Sequence, residues 1–163
     1  MPIFSGLVKR YVHVLIWITA LVWSMPTWAH DYSTGNLRII HPWSNASPPG
    51  APGVGYMVIL NEGSQPDKLM SVSADFAQVS AHKSTVEDGI VQMIPMSDGV
   101  EIPAEASVSF EPGGLHLMLM NLSTPLRSGE ERPITLNFER AGSISVNFKV
   151  MDMGGGEAMS HDN

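Results

Sequence analysis

The chain has 163 residues, enough for one domain with a real core, and 44% of them are hydrophobic. Nine basic residues stand against sixteen acidic ones, a formal net charge of −7, which argues against nucleic acid or an anionic membrane surface as a partner. There is no cysteine, so neither a disulfide nor a thiolate–metal bond is available, and any metal ligand must be His, Met or carboxylate.

Residues 1–29 are basic and apolar: Lys9 and Arg10, then "YVHVLIWITALVWSM", then "PTWA". A charged start, an apolar run and small residues at Thr27 and Ala29 predict a signal peptide cleaved after Ala29. The apolar run is short for a full membrane span and is interrupted by His13. The expectation is therefore an exported, periplasmic protein with no stable membrane association after cleavage. The remaining chain carries seven basic and sixteen acidic residues, a net charge of −9, and keeps nine of the eleven methionines. His30 would then lead the mature chain, where amine and imidazole together chelate Cu(II); a plain disordered terminus is the simpler reading.

Beyond the leader, short apolar or alternating runs predict strands over 37–43, 55–61, 68–74, 77–83, 90–96, 107–110, 115–121, 133–139 and 143–150. "NASPPGAPG" (45–53) is too rich in Pro and Gly for regular structure. Turn clusters "NEGSQPD", "EPGG" and "ERAGS" separate the runs, with "VEDG" and "EPGG" as hairpin signals. No stretch gives a convincing amphipathic helix. The pattern is that of an antiparallel β-sandwich or barrel over 30–150. From residue 151 it stops: "MDMGGGEAMSHDN" reads as a flexible tail, yet it holds Met151, Met153, Met159 and His161.

The run "GGLHLMLMNL" (113–122) places His116, Met118 and Met120 at every second position, hence on one face of a strand. Upstream, His82 and Met93 lie at either end of the hairpin around "VEDG", which folds them toward each other. Met96 is a rival to Met93, but an odd offset puts the two on opposite faces. Met120 reads as core beneath the site or a substitute ligand, and Met57 and Met70 as core. His41 reads as an ordinary surface histidine. Two imidazoles and two thioethers make a neutral, soft ligand set that favours Cu(I) over Zn(II), Mg(II) or Ca(II). In an oxidising compartment thioether has an advantage over thiol, which can be lost to a disulfide.

These residues resemble the periplasmic copper chaperones called PCu(A)C, whose pattern is a His, about ten residues, a Met, about twenty-one residues, then His-x-Met. His82, Met93, His116 and Met118 fit it, with the second gap one residue longer. Trp43, "GYMVILNEG" (55–63), "DKLMSVS" (67–73), "EPGGLHLMLMNL" (111–122) and "AGSISVNFKV" (141–150) match the surroundings. Lys83 stands where family members often have Met or Glu, and beside the site it would slightly disfavour a cation. The chain also has "WSNAS" where many members carry an Arg shortly after the early Trp.

The resemblance implies a cupredoxin-like antiparallel β-sandwich of Greek-key type. It implies one Cu(I) at an exposed rim through His82, Met93, His116 and Met118. The function implied is a copper chaperone, not an enzyme, working as a monomer and delivering to an acceptor such as cytochrome c oxidase subunit II at its Cu-A centre, or to another copper chaperone. Apart from the resemblance, Met151, Met153, Met159 and His161 read either as an auxiliary segment able to take Cu(II) or as chance composition of a flexible tail. Three other readings remain open: copper buffering, a copper oxidase built on His30, and a metal-free β-sandwich interaction module. No Ser-His-Asp or paired-carboxylate arrangement emerges.

Overall fold

The computed structural model describes residues 31–152. Eleven strands account for its regular structure: β1 (Tyr32–Thr34), β2 (Leu37–Asn45), β3 (Gly53–Asn61), β4 (Asp67–Ser73), β5 (Gln78–Glu87), β6 (Ile90–Pro95), β7 (Val100–Ile102), β8 (Ser107–Phe110), β9 (Leu115–Met120), β10 (Glu131–Phe138) and β11 (Gly142–Met151). Among the described residues there is no helix. The strands form one hydrogen-bonded sheet in the order β6-β5-β9-β8-β3-β2-β11-β10-β4-β7, with β1 on β2. The sheet curls until β4 meets β5, so its two halves face each other across a shared core.

The core follows from two-residue periodicity. In β10, Ile134, Leu136 and Phe138 turn inward while Thr135 and Asn137 stay nearer solvent; in β11, Val146, Phe148 and Val150 do the same. Leu117 and Leu119 bring β9 into that interior. Gly55 of β3 is required there: a Cβ at that position would stand 3.2 Å from Phe148 Cε1 and 3.4 Å from Leu117 Cβ. Buried Asp67 anchors the β10–β11 turn by accepting the N–H groups of Arg140 at 3.0 Å and Ala141 at 2.9 Å.

Four details differ from the sequence reading. β1 and β7, three residues each, escape periodicity because three residues cannot show alternation. "EPGG" does not make a hairpin: β8 and β9 both run antiparallel to β3, β8 against 57–60 and β9 against 53–55, so the loop is an excursion between two strands of the same direction. Met70 is half-exposed, since Leu69 takes the inward position in β4. The last strand runs through Met151, whose carbonyl accepts the N–H of Ala46 at 2.7 Å, so the expected tail loses its first residue to the sheet. Met57, by contrast, lies in the core. The leader, His30, Met153, Met159 and His161 lie outside the described residues.

Candidate metal centre

The hairpin β5–β6 closes through Asp88 and Gly89, both in the left-handed region at φ 51° and 76°. Two successive positive φ values are the signature of a type I′ turn, whose twist matches the flanking strands. Its register pairs Ser84 with Met93 and His82 with Pro95. β9 lies on the other side of β5, pairing His82 with His116 and Ser80 with Met118.

Cross-strand partners share a face, and so do residues two apart. His82, Met93, His116 and Met118 therefore occupy one face of three adjacent strands, the face opposite Leu117 and Leu119. The His82 and His116 rings are near parallel, with centroids 6.0 Å apart and planes at 22°. Met93 and Met118 sit diagonally on either side of His82.

Burial falls off across the group. His116 is only 5% exposed, His82 and Met118 are half-buried, and Met93 at the edge is 55% exposed. Met120, opposite Gln78, is exposed on this face and is not core, because the inward positions of β9 belong to the leucines. Met96 follows the end of β6 and packs against the core instead. Lys83 pairs with Leu115 and Ile94, which turns its side chain to the other face, away from the histidines. The sequence reading had put it beside the site; alternation within the strand removes it.

The "EPGG" excursion supplies something no motif announced. The Gly114 carbonyl accepts the Ser84 N–H at 3.0 Å and is 3.1 Å from His116 Nδ1. A carbonyl oxygen can only accept, so this contact puts the proton on Nδ1 and leaves the Nε2 lone pair free for a metal. His82 Nδ1 has only the Ser80 hydroxyl, at 3.5 Å, which can donate or accept and so selects no tautomer. Gly114 was visible in the sequence only as a turn residue.

Two further side chains extend the face. Val54 pairs with Met118, Tyr56 follows two residues on, and Tyr56 pairs with Trp43; the two aromatic rings lie 4.6 Å apart at 38°. Burial pushes the Tyr56 hydroxyl above its ordinary pKa. His41 is exposed at φ 49°, in the bulge between Ile40 and Trp43, away from the group.

Among the described residues, no three of His, Cys, Asp and Glu are grouped to hold a metal. The other donors this face offers beside its two imidazoles are thioethers, a neutral set that suits a soft ion. The fold and this donor set define a cupredoxin-like β-domain with a His/Met face. Over residues 37–150 the sequence matches the family described as "Putative lipoprotein LpqE-like", and the chain belongs to that family. It is 31% identical over 85 residues to "Putative lipoprotein Lxx21020" of Leifsonia xyli subsp. xyli; the match takes in 52% of this chain and about half, 51%, of that relative's length. Among solved structures it is similar to the copper-bound PCuAC domain from PmoF2, at 31% identity and a TM-score of 0.63, covering 76% of this chain and 98% of that one. The Cu(I)-bound DR1885 of Deinococcus radiodurans, at 24% identity and a TM-score of 0.52 over 77% of this chain and 83% of that one, shares the fold. The PCuAC resemblance and the cupredoxin-like fold expected from the sequence thus hold.

Proposed function

We propose that this chain is an exported copper carrier, not an enzyme, which binds one Cu(I) through His82, Met93, His116 and Met118 and passes it to an acceptor protein in the periplasm. The observation that supports it most is the shared face: residues from three strands, up to 36 positions apart in sequence, lie on one side of the sheet with two near-parallel imidazoles 6.0 Å apart. The lipoprotein name of the relative fits an exported chain, and the copper-bound PCuAC neighbour fits the metal. Copper is cargo here. Neutral, weakly bonding thioethers allow exchange one ligand at a time, and the exposed Met93 is the ligand an acceptor reaches first. Cytochrome c oxidase subunit II or another copper chaperone is the acceptor proposed.

Titration of the chain from residue 30 with Cu(I) against a Cu(I)-specific chelator tests the reading. One equivalent bound, with excess zinc failing to displace it, is expected. Displacement by modest zinc overturns the soft-site assignment. Copper transfer to a purified acceptor separates delivery from buffering.

The auxiliary segment is a second proposal. Met151 pairs with Asn45, three strands across the outer face from Met118, or about 14 Å at ordinary strand spacing. A Gly-rich chain of the length of 152–163 reaches about 20 Å. Deleting 153–163 is expected to lower total copper bound, or Cu(II) affinity, while sparing Cu(I) at the main site. Identical titrations of both forms would remove the proposal.

A further inference from the structure

The strand beside the candidate centre is a sheet edge with no charge along it. β6 ends the sheet order, all six of its residues are exposed, and residues 89–97, "GIVQMIPMS", carry no charge. Val86 and Val91 face each other across the hairpin at 69% and 63% exposure, on the same side as Met93. Edge strands are ordinarily blunted by charges, prolines, bulges or short length; β6 carries Pro95 at its end but no charge. Here carboxylates stand only at its two ends, Glu87 and Asp88 at the turn and Asp98 beyond the strand.

The two-residue turn determines which backbone groups are free. The pair flanking such a turn, Glu87 and Ile90, exchanges hydrogen bonds, and bonded and non-bonded pairs alternate from there. Ile90, Gln92 and Ile94 thus direct N–H and C=O toward β5. In step with this, the Met96 N–H donates to the Ala81 carbonyl at 2.9 Å. Val91 and Met93 direct theirs outward, and Pro95, the next outward position, has no N–H. The open donors of this edge belong to Val91 and to Met93, a proposed copper ligand.

We propose that β6 is the edge on which the copper acceptor docks, through an extended apolar segment of that protein with Lys or Arg at both ends, which pairs as an added strand with Val91 and Met93. This rests on the copper-carrier reading and names the contact it needs. Charge selects the occupant. Antiparallel pairing with a second copy through the outward groups, Met93 against Met93, would set Asp88 of each copy against Asp98 of the other and repel. Basic ends turn the same carboxylates into attraction. The added strand would lie one strand spacing from Met93, so its side chains reach the copper with neither partner unfolding.

The test uses copper-free protein, so failure of the metal site leaves its readout intact. Amide exchange of the ¹⁵N-labelled chain is followed with a synthetic peptide of alternating Val and Thr with Lys-Arg at each end, and with the same peptide ending in Asp-Glu. Exchange at Val91 and Met93 is expected to slow about tenfold or more with the basic peptide alone, while Ile90, Gln92 and Ile94 stay as they are. Val91→Pro removes one outward donor without touching the β5 ladder and should abolish the response. The paired surface changes Glu87→Lys and Asp98→Lys, which leave β6 itself intact, should reverse the preference to the acidic-ended peptide. Equal protection by both peptides, no protection by either, or a peptide-free dimer in sedimentation that protects the same amides would overturn the proposal.

Discussion

β10 and β6 contain similar apolar residues and meet opposite fates. In β10, Ile134, Leu136 and Phe138 disappear into the core, while in β6 Ile90, Val91 and Ile94 all stay exposed. The difference lies in what faces them: β10 is flanked by β11 and β4 within the curled sheet, whereas β6 hangs on β5 alone. Apolar character does not by itself bury a strand; a second layer must be there to receive it. The consequence is a division of labour, in which β10 helps to hold the core while β6 presents its residues to solvent.

The largest contrast should appear in unfolding. Leu136→Ala is expected to cost about 2–5 kcal/mol, as for a fully buried leucine, while Ile94→Ala stays within about 0.5 kcal/mol. Denaturant midpoints of the two variants decide it; equal losses would break the comparison. Met118→Ala should lower Cu(I) affinity on the order of a hundredfold, about 2.8 kcal/mol, and leave the unfolding midpoint nearly unchanged. An unaltered affinity would falsify its place in the site. Gly55→Ala should overpack the contact with Phe148 and Leu117 and cost about 1–3 kcal/mol, read by thermal unfolding. Gly89→Ala, at φ 76° with open space around it, meets only backbone strain of about 1 kcal/mol. Its effect should be confined to the hairpin, visible as faster exchange of the Ile90 amide. Lys83→Ala should leave Cu(I) affinity within about twofold, because a solvent-screened charge on the far face contributes a few tenths of a kcal/mol. A larger rise would return Lys83 to the site's side.

Nine of the strands were legible because alternation and turn residues are local signals. "VEDG" announced its hairpin for the same reason: positive φ at Asp88 and Gly89 is a property of those residues in that order. Which strands lie side by side was not legible. Pairing of His82 with His116 joins residues 34 apart, and nothing in the residues between them specifies that β9 crosses to β5. "EPGG" was misread because the same Gly-rich turn closes a hairpin or returns a strand to its own line, depending on β3. Met70 and Met120 were placed inside on residue type, when position in the alternation decided otherwise. The Gly114 carbonyl could not be foreseen at all, since a backbone acceptor leaves no trace in side-chain identity.

The parallel pairing of β11 with β2 has a kinetic consequence. β2 meets β1 and β3 across short connections, but its third partner, β11 with Met151 beside Asn45, arrives 106 residues later. Closure of so long a loop is slow, and β-rich topologies of this kind fold in milliseconds to seconds rather than microseconds. Until the final strand has emerged, the N-terminal strands have no completed sheet to join. Joining β11 to β2 is therefore expected among the late steps of folding, after the local hairpins have formed.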